Sequence, residues 1–543
     1  MSRQSIDAVL EYHARTKHHL HRFAASSGYL DWDTQPNPFR TFDGAERIAL
    51  PLSADHVSSA RYSDLYHPGR IAAAVLNRES VGALLELALG LSAWKQHEQT
   101  RWALRCNPSS GNLHPTEGYV VVPTISDLAG GVYHYLSRDH CLERRTAIAS
   151  GTEANLAELL PGSILVGLSS IHWREAWKYG ERAFRYCQHD IGHAIATIRY
   201  AAATLGWMTT MVDASDAAVA DILGLSRAEG FSEIAEPDRE HPGTLLLVGP
   251  RAIPPLDIEA LRRAVGAGPW TGRANALSPD HVPWPAINVA AEATWREQST
   301  PSADIQSVYP YLESGEASGL SAVQIIRQRR SAVALDDTTS IPAGTFYGML
   351  ARLLPRPSVP PWDALSWPSF LHCGIFVHRV DGLAPGLYLL IRNLASHERL
   401  RAALSADFAF ERPAGCSEHL PFFKLAEGDF QQHAQTISCR QKIAGAGAFS
   451  LGMIADFEDS LLERGAWWYR RLFWEAGMLG HVLYLEAEAA GIRGTGIGCY
   501  FDDAFHSLLG LRNSQFQSLY HFTVGGPIED TRLRTLPAYD HVS

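Results

Sequence analysis

The stretch from Arg105 to Tyr119, RCNPSSGNLHPTEGY, holds the densest polar chemistry in the chain. Pro108, Ser109, Ser110, Gly111 and Asn112 form a turn cluster whose hydroxyls, amide and open backbone N–H groups suit the edge of a polar, planar ligand. The same residues open helices routinely, so an N-cap is the alternative reading. Two other patterns invite chemistry and are set aside. His189 and His193 stand four apart on a predicted helix, a zinc-compatible spacing, but no third ligand accompanies them, and no metal is assigned. Ser92–Lys95, SAWK, matches S-x-x-K without its SDN and KTG companions and reads as helix interior.

The elements that would position the turn can be read around it. VGALLELALGLSAWK, from Val81, has helical spacing; YVVVP and GVYHY follow as two strands. LLPGSILVGLS supplies another strand, Tyr179 to Leu205 a long helix, and GTLLLVGP a buried strand. Residues 5–23 read as a short amphipathic helix, followed by a Trp-, Pro- and Gly-rich arm that should wrap a surface. From Pro250 to about Gly319 the chain turns rich in Pro, Ser and Ala, as a connection does, although Trp270, Trp284 and Trp295 favour partial packing. The second half repeats the element order with TFYGMLARLL, CGIFVHRVDGL and GLYLLIR.

At 543 residues, 46% of them apolar, the chain can bury sizeable cores. A net charge of -11 argues against nonspecific binding to nucleic acid or anionic lipid and leaves small molecules or proteins as partners. The seven cysteines are scattered with no C-x-x-C, suggesting neither zinc ribbon nor disulfide framework and fitting a reducing cytoplasm. No apolar run reaches 18 residues and the first residues have no signal-peptide pattern, so neither export nor a membrane span is expected.

The halves also match in sequence. HAIATIRYAAATLG from His193 and HVLYLEAEAAGIRG from His481 are each preceded by Gly and align without a gap to Gly206 and Gly494. LGL recurs at 223–225 and 509–511, and the strand-like LLLVG and HFTVG end at 249 and 525. Two copies of one α+β unit account for this, and fused copies commonly imitate a homodimer with a site at the seam.

These residues resemble the flavin-dependent nitroreductases, and within them the SagB/ThcOx-type dehydrogenases. PSSGN followed by LHPTEGY looks like the family's flavin-facing loop, and WKYGERAFRY followed by GH like its Lys-Tyr helix; RRS at 329–331, GTGIG at 494–498 and VGGPIEDTRLRTLP at 524–537 carry the likeness in the second half. The resemblance implies an α+β fold of two fused nitroreductase-like domains forming an intramolecular pseudo-dimer. The implied divisions are an arm over 1–65, a first domain over 66–250, a connection over 251–320 and a second domain over 321–543. Because RRS occurs only in the second half and PSSGN only in the first, one complete FMN site and one degenerate site are expected.

The resemblance places FMN phosphate against Arg329, Arg330 and Ser331, since guanidinium forks suit its oxygens. Arg532 and Arg534 would complete the clamp, with solvated surface arginines as the alternative. Gly494, Thr495, Gly496, Ile497 and Gly498 would let backbone approach the isoalloxazine ring, unless they merely make a tight helix–strand connection. Pro108, Ser109, Ser110 and Asn112 would face the ring edge from the other half. Lys178 and Tyr179 would handle the proton, a partly desolvated lysine serving as base and the phenol as relay. The implied activity is hydride transfer between flavin and a small organic or modified-peptide substrate, such as azoline dehydrogenation in natural-product maturation with O2 as acceptor. NAD(P)H-dependent nitro or quinone reduction, and a non-catalytic scaffold in a biosynthetic complex, are the rivals.

Overall fold

The computed structural model describes residues 3–148, 156–251, 256–299, 309 and 319–542. Most of the connection's expected final stretch lies outside the described residues. The first half runs through helix α1 (Arg3–Arg15), arm strand β1 (Glu46–Ala49), helix α2 (Arg78–Ala88) and strands β2 (Leu91–His97), β3 (Thr100–Arg105), β4 (Thr116–Val122), β5 (Gly131–Leu136), β6 (Cys141–Ala147) and β7 (Ile164–Ser170). Helices α3 (His172–Tyr179) and α4 (Ala183–Thr204), strand β8 (Met208–Met211), helix α5 (Asp216–Leu223) and strand β9 (His241–Gly249) complete it. After helix α6 (Pro285–Ala293), the second half comprises α7 (Ala322–Gln328), β10 (Leu371–Val377), β11 (Gly386–Leu390), β12 (Phe422–Glu427), β13 (Phe449–Asp456), α8 (Trp468–Ala489), β14 (Arg493–Ile497), α9 (Asp502–Leu509), β15 (Phe516–Gly525) and β16 (Arg534–Leu536).

The duplication is explicit in the sheets. One has the order β1-β6-β5-β4-β7-β9-β8 and the other β12-β11-β10-β13-β15-β14, so six strands of the first recur in sequence in the second, every pairing antiparallel. Side-chain alternation directs Val120 and Val122 of β4 to a core shared by both halves, while Tyr119 and Val121 face a smaller outer core with Val219 and Ile222 of α5. Both faces are covered, which is why β4 reads as a continuous apolar run rather than an alternating one.

The halves join through α4 and α8, each 22 residues long. They touch backbone to backbone: a Cβ on Gly192 would lie 2.1 Å from the Trp474 carbonyl oxygen, and one on Gly477 would lie 2.1 Å from that of His189. This reciprocity fixes the repeat register. Gly192 corresponds to Gly477, and Gly206 to Gly491, both of the latter with positive φ just past their helix ends; the ungapped alignment of His193 with His481 is one helical turn out of register. Gly192→Val forces a branched side chain against a carbonyl that cannot rotate away, and should lower stability by about 3 kcal/mol or more. Gly480→Ala, whose Cβ would meet the movable His193 ring at 2.9 Å, should cost visibly less in the same urea titration.

The seam is also pinned by mirrored ion pairs. Arg185 of α4 reaches Asp502 of α9 at 3.0 Å, and Arg470 of α8 reaches Asp216 of α5 at 2.6 Å, all four side chains being buried. The ends of the chain cross over as well. β16 pairs with β2 of the first half, where the Tyr539 hydroxyl accepts from Leu91 N–H at 2.7 Å, and His13 of α1 meets the Tyr469 hydroxyl of α8 at 3.2 Å.

Three local expectations are corrected. The helix from Val81 stops at Ala88, and Leu91–His97, including SAWK, is strand: Gly90 packs so tightly that a Cβ there would sit 2.5 Å from the Glu86 carbonyl oxygen. The long helix expected over Tyr179–Leu205 is present but starts at Ala183: Gly180 (φ 55°), where the arm crosses and a Cβ would lie 2.2 Å from the Ala25 carbonyl oxygen, separates it from α3, which ends at Tyr179. Gly494–Ile497 belongs to edge strand β14 rather than to a helix–strand connection. Of the connection's tryptophans, Trp270 covers Gly224 of the first half, whereas Trp295 stays substantially exposed. Among the described residues no helix is long and apolar enough to cross a membrane.

Candidate functional site

A cavity of about 500 Å³ opens at the seam, within the range of small-molecule sites. Pro108–Asn112 and Tyr179 form the first half's wall. Arg329–Ser331 and Thr495–Gly498 form the second's, so Asn112 and Arg330 line one space.

The Pro108–Asn112 turn is braced from within. The Ser109 hydroxyl accepts from His114 N–H at 2.8 Å, the Asn112 amide donates to the Ala103 carbonyl at 2.9 Å, and Gly111, Asn112 and His114 all have positive φ. It leads into strand β4 and caps no long helix, which removes the N-cap reading. Behind it lies a buried acid pair that sequence reasoning missed. Asp190 accepts from both the N–H and the hydroxyl of Ser110 at 3.2 Å; burial pushes its pKa up to about 7. Glu175 is fully buried, and burial together with Asp190 raises its pKa well above the carboxylate range.

The opposite wall is cationic. Arg329 and Arg330 follow α7 directly and adjoin each other; among the described residues neither forms an ion pair with a carboxylate. Arg329 donates to the Arg105 carbonyl at 3.2 Å, stacks over the Tyr484 ring at 5.0 Å and leaves its buried Nε without a partner. Arg330 donates to the carbonyls of Arg327 and Arg329 at 2.7 Å and to the Ser92 hydroxyl at 3.2 Å. Burial, then mutual repulsion, lowers the Arg330 pKa to about 10. Two desolvated guanidiniums held by neutral acceptors beside a cavity call for an anion, and a phosphate monoester supplies the matching charge and oxygens. The donor set therefore fits a planar cofactor with a phosphate tail. Ser331 lies within the same wall, its hydroxyl 2.9 Å from that of Tyr484, which accepts from Gly496 N–H at 2.9 Å.

Four sequence-predicted residues are not on the wall. Arg532 and Arg534 flank Leu533, which does line the cavity; Arg532 sits in a turn closed by Leu533 N–H donating to the Asp530 carbonyl at 3.1 Å and pairs in the open with Asp530 at 2.8 Å, and Arg534 is exposed on β16. Gly494 faces the Phe522 ring within the sheet. Lys178 stands just behind the turn, its Nζ 3.2 Å from where a Cβ on Gly111 would lie and 5.3 Å from the Tyr179 ring centroid. Tyr179 is on the wall, 4.6 Å from Tyr186, and burial keeps its phenol protonated. Sequence reasoning missed Arg105, His193, Tyr484 and Tyr520. Only Arg105, adjoining the turn, carried a signal.

At the pseudo-symmetric position the cavity shrinks to about 10 Å³. Arg471 fills it, between Trp367 at 4.3 Å and Trp467 at 4.5 Å, with Arg296 over Trp467 at 4.2 Å and Asp213 accepting from Arg296 at 2.5 Å. Trp367 comes from the segment that replaces the Pro-Ser-Ser turn in the second half.

Fold and cavity together define a nitroreductase-fold chain in tandem form, its two copies forming an intramolecular pseudo-dimer. A crystal structure of a nitroreductase-type protein from Anabaena variabilis superimposes with TM-score 0.68 at 20% identity, over 96% of this chain and 99% of that one, so the duplicated arrangement has a solved counterpart. No family model matches the chain. A nitroreductase-type protein of Methanocaldococcus jannaschii is 31% identical over 112 residues, 20% of this chain and 57% of that protein. The trifolitoxin-processing protein TfxB of Rhizobium leguminosarum bv. trifolii is 33% identical over 135 residues, 23% of this chain and 31% of that protein. The chain thus spans about half, or less, of the length of the curated relatives it matches.

Proposed function

We propose that the seam cavity holds one FMN and that the chain is an oxidoreductase moving hydride between flavin and a small organic or peptide-derived substrate, with azoline-type dehydrogenation the preferred reaction. The observation that carries this reading is the Arg329–Arg330 pair, which makes no direct ion pair among the described residues, facing the Pro108–Asn112 turn across one cavity. FMN bound there would supply the two-electron acceptor. Arg329, Arg330 and Ser331 would hold the phosphate, while the backbone of Thr495–Gly498 and the braced turn would confine the ring. Tyr179 presents a protonated phenol at the wall, and Lys178 behind it takes the substrate proton through that phenol. The partial match to a trifolitoxin-processing protein favours a peptide-derived substrate.

The match to a nitroreductase-type protein favours a second reading, reduction of nitro compounds or quinones by NAD(P)H. Steady-state kinetics separate the two. Dehydrogenation predicts substrate-dependent O2 consumption without NADPH, and Lys178→Ala should lower that turnover about 10²–10⁴-fold with FMN content unchanged. NADPH oxidation coupled to nitro or quinone reduction, insensitive to Lys178→Ala, would favour the second reading.

A further inference from the structure

Cys439 and Cys499, which no sequence pattern links, meet at the edge of the seam cavity with their sulfurs 2.7 Å apart. Cys499 lies on the cavity wall next to Gly498, and both cysteines are partly exposed. The surroundings are built for a reactive thiol. His18 Nδ1 accepts from Ala24 N–H at 2.9 Å, which leaves the ring proton on Nε2, and the imidazole near Cys499 lowers that thiol's pKa. Arg182 donates to the Gly498 carbonyl at 3.1 Å and adds positive charge nearby. The partner cysteine is held in place at a conformational cost: Cys439 and Arg440 are consecutive non-glycine residues with φ of 52° and 62°, and Gln441 donates to the Cys499 carbonyl at 3.0 Å.

We propose that Cys499 and Cys439 form a redox-active dithiol in the cavity wall, Cys499 attacking low-molecular-weight disulfides and Cys439 resolving the mixed disulfide. With glutathione disulfide as oxidant, the Cys499 thiolate attacks one sulfur, forming a mixed disulfide and expelling one glutathione thiolate. The Cys439 thiol then attacks Cys499 Sγ, closing the internal disulfide and releasing the second glutathione. Two protein thiols are oxidised, one disulfide is reduced to two thiols, and the protons pass from the cysteines to the glutathiones. A disulfide needs the sulfurs at about 2.05 Å, so closure asks for a movement of less than about 1 Å. The assignment of roles agrees with acidity. The Cys439 hydrogen bond, then His18 and Arg182 against burial, hold Cys499 down at about 5, whereas burial raises Cys416, the other partly exposed cysteine.

The test uses the full chain, freshly reduced and exposed to glutathione disulfide, with thiol counting and peptide mapping. Wild type should lose two thiols and yield a peptide linking Cys439 to Cys499. Cys439→Ser should stop at glutathione on Cys499, and Cys499→Ser should protect Cys439. Between pH 8 and pH 6 the Cys499 rate should change less than about threefold, while Cys416 slows on the order of 100-fold. Persistence of both thiols in wild type, or modification of Cys416 as fast as Cys499 at pH 6, would overturn the proposal. Thiol counts and linked peptides are read separately from flavin content, so failure of this proposal is distinguishable from failure of the FMN assignment.

Discussion

Replacing Arg329 and Arg330 together by alanine should leave a folded protein that has lost about 10²–10⁴-fold in FMN affinity. Hydrogen bonds from a guanidinium to a charged oxygen contribute roughly 1.5–3 kcal/mol each, and two lost grips at that scale give this range. Folding should survive because the present partners of both arginines are neutral carbonyls and the Ser92 hydroxyl, and no buried carboxylate is left unpaired by the change. Riboflavin supplies the control, since it has the ring without the phosphate. Wild type should prefer FMN strongly and the double variant should bind the two alike, as read by quenching of flavin fluorescence. Unchanged FMN preference in a folded double variant would remove the phosphate assignment.

Asp502→Ala should be the most damaging single change at the seam. Its carboxylate is fully buried, receives Arg185 at 3.0 Å, Arg182 at 3.2 Å and the His18 backbone N–H at 3.0 Å, and thereby ties α4 and the chain's first residues to α9. Removal strands two buried guanidiniums, a situation that costs about 3–5 kcal/mol. The effect depends on pH with a definite sign. Burial raises the Asp502 pKa, but Arg182 and Arg185 outweigh it and hold the group at about 2. A depressed carboxylate stabilises the fold above its unfolded pKa near 4 and loses that contribution as pH falls toward 2. Urea midpoints of wild type and Asp502→Ala should therefore differ widely at pH 7 and converge between about pH 4 and pH 2. A gap that stays constant through that window would contradict the charged role of Asp502.

Much of this architecture was legible because duplication leaves marks that packing cannot disguise. LGL at 223–225 and 509–511 recurs since both α5 and α9 end on a left-handed glycine, Gly224 and Gly510. The register of α4 against α8 was not legible. Matching histidines and glycines along the sequence points to the neighbouring turn, whereas the true constraint is steric, the need for Gly192 and Gly477 where two backbones touch. At the site, Arg329, Arg330 and the Pro-Ser-Ser turn stood out as polar chemistry with no structural excuse in an apolar chain. Tyr484 and His193 sit on helices buried nearly all round, so their composition gives no hint of which face meets a cavity. Arg532 and Arg534 misled for a simpler reason: a turn at Asp530–Leu533 leads into β16 so that Leu533, the residue between them, takes the inward position. The Cys439–Cys499 pair is created by tertiary structure alone.

In the proposed arrangement two unlike halves make one cofactor site, and the second position is occupied by Arg471 and its flanking tryptophans. Counting acid-released FMN against protein, after saturating the chain with FMN and removing the excess, tests this most directly. One FMN per 543-residue chain is the predicted result; two per chain, or none under saturating FMN, would contradict it.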